Sequence, residues 1–334
     1  MQIQNYQRLR MYNLADIKTI HFEITSKCQA ACPMCARNIQ GGPLNPFLQL
    51  NEVTYDTFQK WFSPNFVSQL NKLYMCGNFG DPVIASDTLE IFSYLRFHNP
   101  TMTLSMNTNG SARSNLFWSR LADLNVDIRF GIDGLEDTHS RYRVNTDWNK
   151  IITNAKAFIN NGGYAIWDML VFYHNKHQIE DCKQLSNELG FKEFVYKNTS
   201  RFRDDSLTVI DTKGIKVDEL YPTEKSIAHR AKVNTESKVI SCKAKEENSI
   251  YIGANGNVTA CCWTDLQFIP LHNNSRVDII SRIGSAPNLY NSSLREIFDS
   301  DYFDLIQNTW SCDPLKECAK QCGSFKKFEA QFES

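Results

Sequence analysis

Residues 23–38 read EITSKCQAACPMCARN and follow a short apolar run of strand-forming residues at 19–24. They hold Cys28, Cys32 and Cys35 in the spacing C-x3-C-x2-C. Three thiolates on one short loop can ligate three irons of a [4Fe–4S] cluster, which leaves the fourth iron open to an exogenous ligand. The alternative is a zinc site with a distant fourth ligand. The spacing favours iron–sulfur, because a C-x3-C in front of a C-x2-C is not the usual zinc-binding unit.

Strand-like and helix-like segments alternate along the first two hundred residues. Short apolar runs rich in strand formers lie at 19–24, 72–75, 102–106, 128–132, 165–172 and 193–196. Amphipathic stretches of helical period lie between most of them, as at 149–160 and 178–189. Such repeats indicate βα units around a parallel sheet, and six repeats are fewer than the eight of a full barrel. We therefore predict an α/β fold, a partial (β/α)6 TIM-type barrel, at 15–202.

The remainder of the chain differs in composition. Residues 203–240 are polar and charged without a sustained apolar period, which predicts a linker with one helix. Residues 241–323 hold six of the eleven cysteines and contain ANGN at 254–257 between two strand-like runs. Asn-Gly supplies two residues that tolerate positive φ, which is a strong hairpin signal. We predict a small cysteine-rich C-terminal domain at 241–323.

Composition narrows the functional classes. The 334 residues include 36 Lys and Arg against 37 Asp and Glu, a net charge of −1, so a nucleic-acid partner is not expected. No apolar stretch reaches 18 residues, so no membrane span is expected. Residues 1–17 carry no secretory signal, which predicts a cytoplasmic protein whose thiols stay reduced and open to metal.

The chain resembles the radical S-adenosylmethionine (radical SAM) superfamily in four motifs at the ends of successive predicted strands. The first is the cysteine triplet. GNFGDP at 77–82 is similar to the family's Gly-Gly-Glu-Pro-like turn, with Asp81 in place of the usual Glu. NTNG at 107–110 resembles its T-N-G turn, and GIDG at 131–134, followed by HSRYR, resembles its S-I-D-G…H…Y-R segment. Together the four motifs cover most of residues 18–200.

The resemblance implies a radical SAM enzyme. Such enzymes cleave S-adenosylmethionine (SAM) reductively to a 5′-deoxyadenosyl radical, which abstracts hydrogen from a substrate. The catalytic [4Fe–4S] cluster would be held by Cys28, Cys32 and Cys35. The residues implied for SAM are Met34 against the adenine, Gly80 and Asp81 at the methionine ammonium, Asn109 and Asp133 at the ribose or adenine edge, and Arg143 at the carboxylate. Met34 stands where the family commonly has an aromatic residue, and its thioether can pack on the adenine.

The C-terminal cysteines resemble the SPASM/twitch extensions that hold auxiliary [4Fe–4S] clusters. Gly256 begins a G-x4-C at Cys261, and the closing cysteines follow the pattern C-x5-C-x3-C from 312 to 322. The set is too small for two fully cysteine-ligated clusters, so we expect one. The ligand candidates are Cys242, Cys261 and Cys322, with Cys318 or Cys312 as the fourth. A zinc site built from the same cysteines is the alternative.

The other cysteines are interpreted as lying outside the clusters. Cys262 follows Cys261 on a predicted strand and should point to the opposite face. Cys76 ends an apolar strand and Cys182 lies in a helical pattern, so both are interpreted as structural.

The resemblance also implies the partners: a small-molecule or peptide substrate, and an electron donor such as flavodoxin or ferredoxin. The short segment before the barrel leaves no room for a leader-binding domain, which favours a small molecule. One alternative is a maturase of ribosomally made peptides with a separate leader-binding protein. Others are a non-catalytic iron–sulfur electron carrier and a zinc-stabilised binding protein.

Overall fold

The computed structural model describes residues 10–199, 201–231, 239–266 and 278–323. Its strands are β1 Thr19–Phe22, β2 Lys72–Met75, β3 Thr103–Thr108, β4 Val126–Gly131, β5 Ala165–Val171, β6 Glu193–Asn198, β7 Leu207–Ile210, β8 Lys216–Leu220, β9 Ser249–Ile252 and β10 Val258–Thr259. Its helices are α1 Tyr55–Trp61, α2 Pro64–Gln69, α3 Thr88–His98, α4 Asn115–Asp123, α5 Glu136–Tyr142, α6 Trp148–Asn160, α7 Ile179–Leu189, α8 Glu224–Ala231, α9 Lys243–Glu246, α10 Cys262–Asp265, α11 Asp278–Arg282, α12 Leu294–Asp299, α13 Tyr302–Thr309 and α14 Lys316–Cys322. No helix in these ranges is both long and apolar enough to cross a membrane.

Eight strands form one sheet in the order β10-β9-β1-β2-β3-β4-β5-β6. Strands β1 to β6 pair in parallel with their chain neighbours, and a helix follows each of the first five. All six predicted strands are present, as are the helices predicted at 149–160 and 178–189. The predicted partial barrel is confirmed.

The outer face of this sheet is hydrophobic and packs against the helices. Phe22 of β1 meets Phe58 of α1 with ring centroids 5.3 Å apart. Phe130 of β4 lies between Trp118 of α4, at 5.2 Å, and Phe158 of α6, at 6.2 Å. These rings are buried, and their removal from water is the main stabilising contribution to the barrel.

The inner face is polar. Because alternate strand residues point to opposite faces, the residues between the hydrophobic ones line the inside of the curved sheet. They include His21, Glu23, Tyr74, Ser105, Asn107, Arg129, Asp168 and Lys197. Parallel strands bring their carboxyl ends to one edge, where ligand sites of such folds lie. The four sequence motifs follow β1 to β4 at that edge.

The segment expected as a linker at 203–240 is more structured than predicted. Strands β7 and β8 form an antiparallel hairpin, and α8 follows it. Val209 and Leu220 of the hairpin join an aromatic cluster with Phe172 that covers Cys32. Because the two short strands bury only Val209 and Leu220, the hairpin leaves only a weak apolar pattern in the sequence.

The C-terminal region extends the same sheet. Strand β9 pairs in parallel with β1, and β10 returns antiparallel to β9 through a turn at Gly256, whose φ is +83°. The predicted hairpin is therefore present, although β10 ends at Thr259 and Cys262 begins α10. The division into 15–202, 203–240 and 241–323 stays a prediction. The main sheet contains strands from both the first and the last of these segments.

Candidate functional site

The C-x3-C-x2-C loop leaves the carboxyl end of β1 and folds into a tight turn. The amide of Cys35 donates to the carbonyl of Cys32 at 2.9 Å, and the amide of Ala30 donates to Cys28 Sγ at 3.4 Å. Burial raises the pKa of all three thiols, and at Cys28 the nearby Asp81, Cys32 and Cys35 raise it further. The loop thus brings three thiols together, and a nearby cation is needed to stabilise their negatively charged thiolate forms.

Arg143 supplies positive charge beside this loop. Its guanidinium lowers the pKa of Cys32 against the effect of burial. Its Nε donates to Asp133 Oδ2 at 2.6 Å, while Asp133 Oδ1 accepts from the amide of Leu170 at 2.6 Å. Both oxygens of the fully buried Asp133 are engaged, so the structure gives this residue the role of holding Arg143. The predicted SAM contact of Asp133 stays a prediction.

Asp81 fixes the turn after β3. Its carboxylate accepts from Thr108 Oγ1 at 2.8 Å, from the amide of Asn109 at 2.8 Å and from Asn109 Nδ2 at 2.6 Å. It also accepts from the amide of Val83 at 3.2 Å. These bonds occupy the carboxylate, so in this structure Asp81 orders the 107–110 turn, and its predicted ammonium contact is untested.

Asn109 stands between Asp81 and the cysteine loop. Its Nδ2 lies 3.7 Å from Cys28 Sγ, and its Oδ1 accepts from Gln29 Nε2 at 2.7 Å. On the other side of the loop, Met34 lies at the edge of the aromatic cluster, with Sδ 3.9 Å from Thr199 Oγ1. The structure therefore brings Met34, Gly80, Asp81, Asn109, Asp133 and Arg143 around one loop.

Glu23 is a site residue that the sequence did not single out. It is 2 % exposed, and its Oε1 accepts from the amides of Phe79 at 2.7 Å and Gly80 at 2.9 Å. Its Oε2 accepts from the hydroxyl of Tyr251 in β9. Asn78 Nδ2 donates to the carbonyl of Cys262 at 3.1 Å. The 77–82 turn is thus fixed to both β1 and the C-terminal region. The only sequence signal was an acidic residue in an apolar strand.

Four C-terminal cysteines line one cavity. They are Cys242, Cys261, Cys318 and Cys322. The other walls are largely apolar, with Ile240, Ala260, Ile306 and Trp310 among them. Burial raises the pKa of the Cys318 thiol, and the hydrogen bond that the Cys242 thiol donates to Cys322 is the main cause of the raised pKa of Cys242. This cavity unites the three best ligand candidates with Cys318.

Cys312 and Cys262 lie elsewhere. Cys312 is exposed, and its Sγ lies 3.9 Å from the carbonyls of Asn308 and Thr309 in the preceding helix. Cys262 does not line the cavity; burial raises the pKa of its thiol, and the charges of Cys261, Cys76 and Glu23 raise it further. The predicted strand position of Cys262 is wrong, because Cys262 begins helix α10. That Cys262 is not a ligand of the same cluster as Cys261 stays a prediction.

The two cysteine groups fit iron–sulfur ligation by their chemistry. Within the described ranges, no three His, Cys, Asp or Glu side chains converge on a single metal-ion position. A [4Fe–4S] cluster instead takes at most one protein thiolate on each iron, and hydrogen bonds to its sulfurs tune its reduction potential. In the C-terminal cavity the indole N–H of Trp310 is directed at the sulfur of Cys318 and lowers the pKa of that thiol against the effect of burial.

Comparison with known protein families identifies the C-terminal region. Residues 242–323 match the SPASM family, described as an iron–sulfur cluster-binding domain. The match spans nearly the whole of the predicted domain at 241–323, and the predicted SPASM-type domain is confirmed. No curated protein matches the sequence at a significant level.

Comparison with solved structures identifies the fold. SuiB from Streptococcus suis bound to S-adenosylmethionine has a TM-score of 0.55 at 12% identity, over 91% of this chain and 68% of that one. Native anSMEcpe with bound AdoMet has a TM-score of 0.56 at 14% identity, over 91% of this chain and 89% of that one. SuiB bound to its precursor peptide SuiA has a TM-score of 0.54 at 12% identity, over 85% of this chain and 65% of that one. The chain thus spans about two thirds of SuiB.

Proposed function

The chain has the radical SAM fold with a C-terminal SPASM domain, and we propose that it is an enzyme that cleaves SAM to initiate radical chemistry on a substrate. The observation that carries the proposal is the convergence of four strand-end loops. Cys28, Cys32 and Cys35 lie beside Asn109 on one side and Arg143 on the other. Three thiols, hydrogen-bonding groups and a guanidinium gathered at the carboxyl edge of the barrel support the proposal.

The three cysteines would hold the catalytic cluster, and Arg143 and Asn109 would bind SAM. When bound, the reduced cluster and SAM supply a 5′-deoxyadenosyl radical that abstracts hydrogen. Arg143 can pair with the methionine carboxylate, a charge-assisted interaction, while Asp133 holds its guanidinium in place. Asp81 orders Asn109 through two hydrogen bonds. The aromatic cluster with the β7–β8 hairpin would keep water from the loop.

The proposal is tested by anaerobic reconstitution with iron and sulfide, followed by SAM and dithionite. We expect a brown protein that forms 5′-deoxyadenosine and methionine in equal amounts. Chromatography of the products and elemental analysis are the measurements. A protein with iron and sulfide that forms no 5′-deoxyadenosine would be an electron carrier, and a colourless protein that holds only zinc would be a binding protein. Either result would overturn the proposal.

The C-terminal cavity would hold one auxiliary [4Fe–4S] cluster on Cys242, Cys261, Cys318 and Cys322. Replacing Cys318 with alanine should remove about four of about eight irons, because each cluster contains four. Cys312→Ala is the matched control, since that cysteine lies four residues before the first residue of α14, the helix that bears Cys318, yet is exposed and outside the cavity. Equal iron loss in both variants, or loss only in Cys312→Ala, would contradict the ligand assignment.

The substrate would be a small molecule or a peptide. SuiB has been solved bound to its precursor peptide SuiA, and anSMEcpe with bound Cp18Cys peptide, which supports a peptide as one of the two candidates. An electron donor such as flavodoxin or ferredoxin would reduce the clusters. The polar side chains on the inner face of the barrel limit which chemical groups the substrate can carry.

A further inference from the structure

Asn78, in the turn that follows β2, contacts both cysteine-bearing regions of the chain. Its Nδ2 donates to the carbonyl of Cys262 at 3.1 Å and to the hydroxyl of Tyr251 at 3.4 Å. Its backbone carbonyl oxygen lies 3.9 Å from Cys35 Sγ. The side chain of Asn78 is therefore bound to the C-terminal region, while the main chain of the same residue adjoins the C-x3-C-x2-C loop.

Cys262 is joined to a proposed ligand of the auxiliary cluster. It follows Cys261, which lines the C-terminal cavity, and it is the first residue of α10. The amide and the hydroxyl of Thr264 donate to the carbonyl of Cys261 at 3.1 Å and 2.7 Å, and the amide of Cys261 donates to Thr264 Oγ1 at 3.3 Å. Because these bonds close a short helical turn, a displacement of Cys261 also displaces the carbonyl of Cys262.

The turn that bears Asn78 is packed against the main chain that leads into the cysteine loop. A Cβ atom on Gly80 would overlap the carbonyl group of Thr25, so the two backbones are in direct contact. The amide of Asp81 donates to the carbonyl of Lys27 at 3.0 Å, immediately before the first cysteine of the loop. A shift of Asn78 therefore changes the position of the turn relative to that loop.

Glu23 holds the same turn from β1, but it does not depend on α10. Its Oε1 accepts from two amides of the turn, and its Oε2 accepts from the hydroxyl of Tyr251. Glu23 directly follows β1, and Tyr251 lies in β9, which pairs with β1, so the sheet fixes both residues. The bond from Asn78 to Cys262 instead joins the turn to a short helix outside the sheet. It is the contact through which the C-terminal cavity can act on the turn.

We propose that Asn78 is a positioning residue that makes SAM binding depend on whether the C-terminal cavity holds its cluster. With the cavity loaded, Cys261 is fixed, and the carbonyl of Cys262 holds Asn78 and its turn in the position that binds SAM. With the cavity empty, Cys261 is released and the turn loses this restraint. The inference rests on the proposed function, which assigns the 77–82 turn to SAM. The coupling itself rests on the hydrogen bonds of Asn78 and Cys261.

A double-mutant cycle on SAM binding tests this coupling. Cys318→Ala removes the auxiliary cluster, Asn78→Leu removes the donor but keeps the size of the side chain, and a third protein carries both changes. Anaerobic equilibrium dialysis with radiolabelled SAM and no reductant gives the Kd of each reconstituted protein. We expect each single variant to raise the Kd about fivefold, as the loss of one hydrogen bond would. Cys318→Ala should have no further effect in the Asn78→Leu protein, because both changes break the same connection.

Cys312→Ala and Asn161→Leu are the matched controls. Cys312 is exposed and lies outside the cavity, and Asn161 donates to the carbonyl of Ala157 at 2.8 Å at the end of α6. Both variants should keep the Kd of the unaltered protein. A Cys318→Ala protein that binds SAM as tightly as the unaltered protein would overturn the proposal. So would a loss of affinity from Cys318→Ala that persists in full in the Asn78→Leu protein, since the cavity would then act on SAM by another route.

Amide hydrogen exchange gives a second readout that needs no SAM. The peptide spanning 77–82 should exchange about fivefold faster in the reconstituted Cys318→Ala protein than in the unaltered one. A peptide spanning α6 should exchange at the same rate in both, which shows that the barrel is folded. Equal exchange of 77–82 in the two proteins would overturn the proposal, and this comparison does not require Asn78→Leu to fold. It also decides the coupling if the protein does not cleave SAM, so its failure is distinguishable from that of the proposed function.

Discussion

Replacing Cys32 with alanine is expected to reduce 5′-deoxyadenosine formation from SAM to background. Cys32 is one of three thiols on the loop after β1, and it is the one nearest to the guanidinium of Arg143. A cluster with two protein thiolates in place of three would not be retained, because Cys28 and Cys35 cannot reach its third iron. Iron should fall by about four atoms per chain, those of one [4Fe–4S] cluster. Product chromatography and iron analysis on the anaerobically reconstituted variant measure both effects.

Cys182→Ala is the control for this experiment. Cys182 is fully buried in α7 and packs in the main hydrophobic core, far along the chain from either cysteine group. Its replacement removes the same atoms from the interior without touching a proposed ligand, so it should keep full iron and full SAM cleavage. If Cys32→Ala kept its iron and its activity while Cys182→Ala did the same, the catalytic loop would be wrongly assigned.

The fold was largely predictable because its strands are buried on one face and its helices are amphipathic. Strands β1 to β6 and the β9–β10 hairpin carry patterns that local physics decides: apolar runs, and an Asn-Gly turn with Gly256 at positive φ. The β7–β8 hairpin was not predicted from the sequence, because its buried residues Val209 and Leu220 pack in a cluster formed by distant segments. Tertiary contacts of this kind leave no periodic signal.

The candidate site residues could be predicted from the sequence where they lie together on one loop. They could not be predicted where the fold brings distant segments together. The proposed ligands Cys28, Cys32 and Cys35 follow from their spacing in the sequence. The proposal of Cys318 and not Cys312 depends on which thiol lines the cavity, and that is known only from the structure. The role of Glu23 depends on Tyr251, 228 positions away. Asp168 and Lys197 belong to different strands and meet only because β5 and β6 are neighbours in the sheet.

The register of β9 beside β1 gives the C-terminal region a direct structural connection to the 77–82 turn, which we propose to bind SAM. Tyr251 pairs with His21 across the two strands, and its hydroxyl donates to Glu23, which in turn accepts from the amides of Phe79 and Gly80. Burial raises the pKa of Glu23, while the hydrogen bonds from Tyr251 and from the turn lower it. The C-terminal domain is therefore integral to the barrel, since its strand β9 extends the sheet and supports the 77–82 turn.

The second large effect is expected from Asp133→Asn. Asp133 is fully buried, and Arg143 is its ion-pair partner at 2.6 Å with a side chain 19 % exposed. Asparagine can keep the hydrogen bond from the amide of Leu170 but leaves the guanidinium without a counterion. Removing one partner of a buried pair costs about 3–5 kcal/mol, and the partial exposure of Arg143 places the expected loss of unfolding free energy near the lower bound, about 3 kcal/mol. Anaerobic urea unfolding followed by tryptophan fluorescence measures it.

The neighbouring pair supplies the matched control for that loss. Arg141 binds Asp218 through Nε at 2.8 Å and Nη2 at 2.7 Å, and the two side chains are 38 % and 29 % exposed. Asp218→Asn removes the same charge from a bidentate pair that water already screens, so its cost should stay below about 1 kcal/mol. If both variants lost the same stability, Asp133 would contribute no more than a surface carboxylate. Arg143 would then owe its position to the cysteine loop and not to Asp133, and the order of dependence in the site would be reversed.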